Sequence, residues 1–417
     1  IFDSNHQFVI TVIRGTDNMA YHLDINLIVS RLRSVISQQD SFVPLHAPSF
    51  TGNEWAYVKD CLDSGWVSSV GQYVEQFERM LAEFTGIKHA VAVVNGTAAL
   101  HIALILAGVE QNDEVIIPDL TFVATANAVT YCGAIPHFAD VEIDTLGLDP
   151  HKLQLYLNEI SELRSGSCYN RKTGRRIKAV VPMHAFGHPV DLDPLVEVCQ
   201  QYHLELVEDA AESLGSYYKG VHTGSFGKLA ALSFNGNKII TTGGGGAVLT
   251  NDEALARRAK HLTTTAKVPH AWEYVHDEVA YNYRMPNLNA ALGCAQMEYL
   301  PSLISNKRKL AEKYKAALEG LPKLTFFTEP PYASSNYWLN AILLDQSVSR
   351  QRDDLLKATN EAGIMTRPAW KLMHKLEMYK ECPAMDTSVA EEIESRLINI
   401  PSSAELVGGN LALGGQD

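Results

Sequence analysis

Short apolar runs alternate with segments of helical spacing through the middle of the chain, and this alternation restricts the possible folds more than any other feature. Apolar runs occur at 89–94, 114–117, 136–141 and 178–184. Segments with helical spacing follow at 98–106, 121–131 and 192–202. A strand–helix–strand rhythm is typical of a largely parallel sheet that helices cover on both faces. The sequence therefore predicts an α/β fold.

The pattern changes after Asn287 and suggests a second unit. A long helical stretch at 288–318, with a predicted interruption near Pro301, is followed by a strand-rich segment and another helix. We predict an N-terminal arm at 1–41, a large domain at 42–285 and a smaller C-terminal α+β domain at 286–417. Met19 is a plausible native start, which makes residues 1–18 candidates for a stretch outside the native protein.

Charge and cysteine usage exclude several classes of function. The 417 residues carry a formal net charge of −13, which disfavours nucleic acid and anionic membranes as partners. No apolar run approaches the roughly 18–20 residues of a membrane span. The six cysteines show no C-x-x-C spacing, so we predict no metal centre. Their scatter is typical of a reduced, cytoplasmic protein.

Lys238 is the first candidate for chemistry. It follows the apolar run 229–234, with Ser233 five positions before it and four glycines at 243–246. A lysine amine between a hydroxyl and a flexible backbone suits covalent attachment to an aldehyde cofactor, and pyridoxal phosphate (PLP) is the usual one. The alternative is a surface lysine beside a tight hairpin, because Gly-rich turns are common.

Asp209 strengthens the cofactor interpretation. The run 204–209 has the composition of a buried strand and ends in this acid. Ligands of open α/β sheets bind at the carboxyl ends of the strands. A carboxylate there would keep the pyridine nitrogen of PLP protonated, so that the ring can accept electrons. The alternative is that Asp209 only caps a helix.

Three further strand ends carry candidate side chains. Asn95-Gly96-Thr97 joins a strand to a helix, and free N–H groups at a helix start bind phosphate. Phe122 could lie over the PLP ring, although it could equally be a core residue. His184 could face the same site, with a hydrogen-bonded core histidine as the alternative.

Six ordered blocks make the chain resemble the DegT/DnrJ/StrS-type sugar aminotransferases. They are 65–71, 95–100, 121–128, 208–212, 233–238 and 282–285. The resemblance extends from about Phe42 to beyond Pro401. It implies the aspartate-aminotransferase fold (PLP fold type I), with a large domain around a mostly parallel sheet and a smaller C-terminal α+β domain. Some relatives have histidine at the lysine position and act as sugar dehydratases, whereas Lys238 favours amino transfer.

The resemblance also assigns roles at matching positions. Lys238 would form the covalent link to PLP, and Asp209 would pair with the pyridine nitrogen. The remaining cofactor contacts would be phosphate ligands at Gly96, Thr97 and Ser233, a stacking ring at Phe122, and Glu212 near the ring hydroxyl. Asn282 would reach the phosphate in the neighbouring subunit, which implies a homodimer with shared active sites. Arg284 would join Asn282 there as a fixed cationic fork for phosphate or carboxylate.

A C-terminal block narrows the expected substrate. Residues 370–374 depart from the His-Pro-Met-His of many relatives and resemble the LegC subgroup. That subgroup aminates C4 of a UDP-linked 4-keto-6-deoxy-N-acetylhexosamine, on routes to diamino sugars and nonulosonic acids of surface glycans. We expect glutamate as amino donor, and a cationic patch of Arg367, Lys371 and His374 for the diphosphate. Trp370, beside this patch, could pack on the sugar, and His184 is a separate candidate for a substrate contact.

Three alternatives stay open at this point. The substrate could be another nucleotide-linked keto sugar, with a 3-keto group or GDP as the nucleotide. The protein could be a PLP-dependent sugar dehydratase, which Lys238 disfavours. It could also be a non-catalytic regulator that binds PLP or a nucleotide sugar, because a fold does not guarantee an activity.

Overall fold

The computed structural model describes residues 22–36 and 42–408. Most of the predicted N-terminal arm, including residues 1–18, lies outside the described residues. The helices of the described part are α1 Ile25–Val35, α2 Glu54–Ser64, α3 Gln72–Thr85, α4 Gly96–Leu106, α5 Val123–Tyr131, α6 Pro150–Ile160, α7 Leu192–Gln201, α8 Glu253–Thr263, α9 Asn287–Leu318, α10 Arg352–Glu361 and α11 Ser388–Arg396.

The first thirteen strands belong to the N-terminal two thirds of the chain. They are β1 His89–Val93, β2 Glu114–Pro118, β3 Ile135–Ala139, β4 Ser161–Arg164, β5 Ser167–Asn170, β6 Arg176–Val180, β7 Glu205–Asp209, β8 Tyr217–Tyr218, β9 Val221–His222, β10 Leu229–Ser233, β11 Gly246–Thr250, β12 Lys267–Val268 and β13 Val275–His276. The later strands are β14 Leu324–Phe326, β15 Ala333–Ser334, β16 Asn340–Leu344, β17 Arg367–Pro368 and β18 Leu397–Ile400.

The large sheet has the strand order β1-β11-β10-β7-β6-β2-β3. The strands from β10 to β3 in this order pair in parallel, whereas β11 runs antiparallel to both β1 and β10. The hairpin of β4 and β5 joins this sheet through β6. The predicted α/β class with a mostly parallel sheet is confirmed.

Alternation along the central strands explains why helices cover both faces. In β10, Ala230 and Leu232 belong to a buried cluster with residues of α3 and α9. Leu229 and Ala231 of the same strand face a second cluster, built with α4, α5 and α8. Successive strand residues point to opposite faces, so an apolar strand without polar positions must be buried on both sides.

The helix α9 connects this sheet to a smaller one of order β14-β16-β18-β17. Its first half, including Leu300, packs in the cluster with α3, and its second half, including Leu310, packs with α1 and the small sheet. The predicted interruption near Pro301 is wrong, because α9 runs through that residue. A proline removes one backbone hydrogen bond, and packing of both halves offsets that loss. The domain boundaries themselves stay a prediction.

No helix among the described residues is long and apolar enough to span a membrane.

Candidate active site

A cavity of about 250 Å³ lies where β7 and β10 end and α4 begins. Its lining contains most of the predicted cofactor residues together with several others: Asn95, Gly96, Thr97, Leu100, Phe122, Ala124, Met183, Asp209, Ala211, Glu212, Ser233, Asn235 and Lys238. Because β7 and β10 are parallel, their carboxyl ends meet at one edge of the sheet, with Asp209 paired to Ala231. The topology thus gathers side chains from distant parts of the sequence.

The start of α4 forms one wall of the cavity. The side chain of Asn95 caps the helix by accepting a hydrogen bond from the N–H of Ala98 at 2.8 Å. A Cβ atom on Gly96 would lie 2.8 Å from Cβ of Ser233, so only glycine lets the helix approach β10 this closely. Gly96, Thr97 and Ser233 therefore surround one end of the cavity, where the helix presents positive partial charge. This end suits an anion such as phosphate.

Asp209 is a buried carboxylate with two hydrogen-bond donors. The hydroxyl of Thr125 donates to Oδ2 at 2.7 Å, and the backbone N–H of Ala211 donates to Oδ1 at 3.2 Å. Burial raises the pKa of Asp209, and these hydrogen bonds oppose that shift by favouring the charged form. A protonated ring nitrogen at this position would supply the positive charge that the buried carboxylate needs.

Glu212 and Lys238 form an ion pair on the other side of the cavity. The Nζ atom of Lys238 lies 3.1 Å from Oε1 of Glu212. The second oxygen of Glu212 accepts the backbone N–H of Phe186 at 2.9 Å. Burial raises the pKa of Glu212 to about 7, although the positive charge of Lys238 acts in the opposite direction. The carboxyl group of Glu212 therefore titrates near neutral pH.

Phe122 lies at the edge of the cavity with 49% of its surface exposed. It precedes the first residue of α5, at the end of the loop that follows β2. An exposed aromatic face at a cavity edge can stack on a planar ligand. The structure therefore leaves the predicted stacking role available.

His184 is not available to a substrate. It is fully buried, with Nε2 3.1 Å from Glu208 and Nδ1 accepting the N–H of Val190 at 3.2 Å. Both ring nitrogens are thus used inside the protein, and the predicted substrate contact is corrected to a core role. Glu208 also accepts the N–H groups of Gly224 and Gly227, so His184 belongs to a buried network next to Asp209, whose backbone carbonyl oxygen accepts the His184 N–H at 3.2 Å.

Arg284 is also corrected. Its guanidinium donates to Oε1 of Glu78 at 2.7 Å within the same chain, and the residue is 9% exposed. Its backbone forms a bridge with Val93 at the end of β1. The positive charge of Arg284 compensates a nearby carboxylate rather than meeting a ligand. Asn282, by contrast, is exposed and does not line the cavity of its own chain.

In the patch at 367–374, one side chain is paired with carboxylates of the protein, whereas two charged side chains are exposed. The His374 ring bonds to the buried carboxylate of Asp119 and lies 3.6 Å from Glu391, so it is not a free cation for a diphosphate, which corrects its predicted role. Arg367 is exposed and donates to neutral oxygens of Asn360 and Thr366, so no carboxylate of the described residues compensates its charge. Lys371 is exposed as well.

Trp370 connects this patch to the cavity. Its ring stacks on Phe186 with a centroid distance of 4.5 Å and an interplanar angle of 22°. Phe186 adopts a left-handed backbone conformation with φ 57°, and its N–H holds the Glu212 carboxylate. Such a conformation is costly for a bulky residue and must be held by its surroundings. Phe186 therefore links the indole of Trp370 to the Lys238–Glu212 pair, with Trp370 on its ring and Glu212 on its backbone N–H.

Sequence reasoning missed three residues that touch these charges. Thr125 holds Asp209, Phe186 holds Glu212, and the ring of Trp338 lies 3.9 Å from Nζ of Lys238. Thr125 lies within the block 121–128, one turn after Thr121 and in the first turn of α5, so its hydroxyl beside a candidate strand end was a usable signal. Trp338 comes from the strand-rich segment far along the chain, and its contact has no signal in the sequence.

The residues present fit PLP. A helix start with a close-approach glycine can hold the phosphate, a buried carboxylate can hold the pyridine nitrogen, and a lysine lies within the same cavity. The volume of about 250 Å³ is below the roughly 300–1,000 Å³ typical of drug-sized ligands, so it suits a single-ring cofactor. A larger second substrate must extend outside it. This combination of fold and site defines a PLP-dependent aminotransferase of the aspartate-aminotransferase-like fold type I.

Comparison with known proteins identifies the family. A GDP-perosamine synthase of Vibrio cholerae is 39% identical over 361 residues, covering 86% of this chain and 94% of that protein. A putative pyridoxal phosphate-dependent aminotransferase, EpsN of Bacillus subtilis, is 38% identical over 368 residues, covering 87% and 91%. The solved structure of DesI in the presence of its TDP-sugar product is 28% identical with a TM-score of 0.76, covering 87% and 88%.

The family model of the DegT/DnrJ/EryC1/StrS aminotransferases matches residues 48–412, and the chain belongs to this family. It is a sugar aminotransferase that uses PLP. The predicted family, fold, enzyme class and cofactor are thereby confirmed. The narrower LegC assignment stays a prediction.

We predict that Thr125→Val weakens PLP binding in a pH-dependent way. The change removes one hydrogen bond to the Asp209 carboxylate, which raises the pKa of Asp209 further. As the solution is acidified, a carboxyl group with a raised pKa is protonated at a higher pH. The affinity for PLP should therefore begin to fall at a higher pH in Thr125→Val than in the wild type. At neutral pH we expect about a tenfold loss, the equivalent of ~1.4 kcal/mol for a hydrogen bond to a charged group.

The measurement is PLP titration by absorbance between pH 5.5 and 8.5. Thr130→Val is the matched control, because Thr130 lies on the same helix and its hydroxyl bonds to Ala126 rather than to Asp209. Equal pH profiles for wild type and Thr125→Val would contradict the assigned role of Asp209.

Proposed function

We propose that this enzyme transfers the amino group of glutamate to C4 of a nucleotide-linked 4-keto-6-deoxy sugar, with a GDP-linked sugar as the first candidate. The observation that carries the proposal is the arrangement of Lys238, Glu212 and Asp209 around one cavity beside the start of α4. The name GDP-perosamine synthase among relatives at 37–39% identity favours GDP. The UDP-linked N-acetylhexosamine of the LegC subgroup is the second candidate, favoured by the block 370–374.

Each polar group of the cavity has a distinct task in this proposal. PLP, when bound, supplies an electron sink for the carbon that carries the amino group. Asp209 holds the proton on the pyridine nitrogen, while Gly96, Thr97 and Ser233 hold the phosphate. Nζ of Lys238 removes a proton from the carbon of glutamate and later returns a proton to the sugar carbon. Glu212, 3.1 Å from Nζ, orients the lysine between these steps.

The sugar nucleotide needs a surface outside the small cavity. The Trp370 ring, stacked on Phe186 at the cavity side, offers an apolar face for the sugar. Arg367 and Lys371 are exposed nearby in sequence and carry charge for the diphosphate of a substrate that the protein, at net −13, would otherwise repel. Arginine suits a bidentate phosphate contact and lysine acts as a point charge.

The proposed homodimer rests on the segment around Asn282. The neighbouring hairpin of β12 and β13 exposes Trp272 at 81% and Tyr274 at 83%, and Val279, which follows the hairpin, is 91% exposed. Exposed aromatic groups of this size mark interaction surfaces. A second copy of the chain that covers this hairpin would bring Asn282 towards a neighbouring cavity, where it would contact the cofactor phosphate.

We expect turnover to separate the candidate substrates. The purified enzyme with PLP and glutamate should produce 2-oxoglutarate and an amino sugar, with kcat/KM at least tenfold higher for a GDP-linked 4-keto-6-deoxyhexose than for the UDP-linked N-acetyl sugar. Lys238→Ala should be colourless and inactive, because the proton shuttle is removed. Products are measured by coupled assay and mass spectrometry.

The other outcomes of this assay select the alternatives. Preference for the UDP sugar would support the LegC assignment. Turnover confined to 3-keto sugars would show that C3, rather than C4, receives the amino group. Loss of a hydroxyl without amino transfer would indicate a dehydratase. A protein that binds these ligands and converts none of them would be a regulator.

Lys371→Ala should raise KM for the sugar nucleotide about tenfold, since a charged contact to phosphate is lost. The glutamate half-reaction, followed by bleaching of the yellow cofactor, should stay nearly unchanged. Lys375→Ala is the matched control. Lys375 lies in the same segment, four positions after Lys371, but its Nζ donates to Glu394 at 2.7 Å. Equal damage to both half-reactions would move the sugar site elsewhere.

Mixed dimers should test the sharing of active sites. Lys238→Ala and Asn282→Asp chains are each expected to be inactive. Their heterodimer should regain up to half of the activity of a wild-type dimer. One of its two sites then combines an intact Lys238 with an intact Asn282. Lys238→Ala mixed with Asp209→Ala is the control, because both residues belong to one cavity and no intact site can form. Verified heterodimers without recovery would refute sharing.

A further inference from the structure

The contact between Lys238 and Trp338 has no part in the roles assigned above. Nζ of Lys238 lies 3.9 Å from the centroid of the Trp338 ring. Trp338 is 4% exposed and belongs to the segment between β15 and β16, far along the chain from Lys238. A cation over the face of an indole is attracted by the ring quadrupole, most strongly when water is excluded.

The indole is fixed from several directions. Its Nε1–H donates to the carbonyl oxygen of Asn237, the residue before the lysine, at 2.6 Å. The backbone N–H of Trp338 donates to Oδ1 of Asn336 at 2.8 Å, and its carbonyl accepts Nζ of Lys307 at 3.1 Å. These contacts orient the ring face towards Nζ, so the stacking is built into the fold.

The same segment also supports Glu212. Nδ2 of Asn336 donates to the carbonyl oxygen of Glu212 at 2.9 Å. The two partners of the lysine amine, one carboxylate and one aromatic face, are therefore held by neighbouring residues of one segment. This connects the small-sheet part of the chain directly to the cavity.

The two partners respond differently to pH. The pKa of Glu212 is raised to about 7 by burial, so this carboxylate loses its charge as the solution is acidified through neutral pH. The Trp338 ring does not titrate and attracts a cation at any pH. Among residues 22–36 and 42–408, the other charged or titratable groups that face Lys238 are Asp209, whose carboxylate acts on it electrostatically, and His46, which burial keeps neutral.

We propose that Trp338 is a positioning residue for Lys238: its indole face holds the detached amine while it carries the proton that it has removed from the substrate carbon. The proposal rests on the role of Lys238 given under Proposed function. The ring gives the amine a fixed place beside the cavity after each proton transfer. It also slows reattachment, because only the neutral amine attacks an aldehyde.

The test measures PLP capture by cofactor-free enzyme, followed as the yellow absorption between pH 6 and 10. Removing the aromatic face in Trp338→Leu destabilises the ammonium form, so the midpoint of the rate–pH profile should shift down by about one unit. That shift corresponds to about tenfold faster capture below the midpoint. Trp338→Phe keeps an aromatic face and should restore most of the midpoint. Trp338→Met fills the space with an apolar chain and should behave like Trp338→Leu, which provides a second variant if leucine impairs folding.

Tyr337→Leu is the matched control. It truncates the adjacent buried aromatic residue, which stacks on Phe326 and does not contact Lys238. An unchanged midpoint in both Trp338→Leu and Trp338→Met, or the same shift in Tyr337→Leu, would overturn the proposal. Capture that persists in Lys238→Ala would instead overturn the assignment of Lys238, so the two failures are distinguishable.

Discussion

The parallel pairing of β7 with β10 is the constraint on which the site depends. It sets Asp209 beside Ala231, so the loop that carries Lys238 leaves the sheet next to a buried carboxylate. The glycine at the start of α4 lets that helix close against Ser233 of the same strand. A carboxylate, a lysine and a helix start therefore share one cavity, because β7 and β10 end where α4 begins. Shifting the register of β10 by one residue would turn its side chains to the opposite face.

The electrostatics of the cavity follow from this crowding. Asp209 and Glu212 are both buried, and burial raises the pKa of each. Their immediate surroundings differ: within the described part of the chain, Asp209 has two donors and no cation in direct contact, whereas Glu212 is paired with Lys238. Two carboxylates separated by one turn are thus suited to different partners. Asp209 suits a cationic ring nitrogen, and Glu212 suits the side-chain amine of Lys238.

The sequence predicted the sheet and the central charged residues because these obey local rules. Strand runs alternate with helices, and Asp209 and Lys238 follow strand ends, which must meet at one edge of a parallel sheet. The helix α9 was predicted with a break at Pro301, whereas packing at both of its ends keeps it continuous. Local preference for a break was overridden by burial that only the folded chain reveals.

Side chains whose partners lie far away could not be assigned in the same way. His184 and Arg284 had the residue types of ligand contacts, yet Glu208 and Glu78 engage them inside the protein. The His374 ring likewise bonds to the buried Asp119 instead of facing a ligand. Trp338 was overlooked because its contact with Lys238 depends on how the small-sheet segment folds back on the cavity. A sequence gives the type of a side chain, but its partner is set by tertiary packing.

The proposed chemistry requires that Lys238 is the lysine that binds PLP. Treating the PLP-loaded enzyme with borohydride would fix the cofactor to its lysine, and peptide mass spectrometry would then locate the modified residue. We expect the modification on Lys238, in the peptide that follows β10. Stoichiometric modification of another lysine, such as the buried Lys307, with Lys238 unmodified would contradict it.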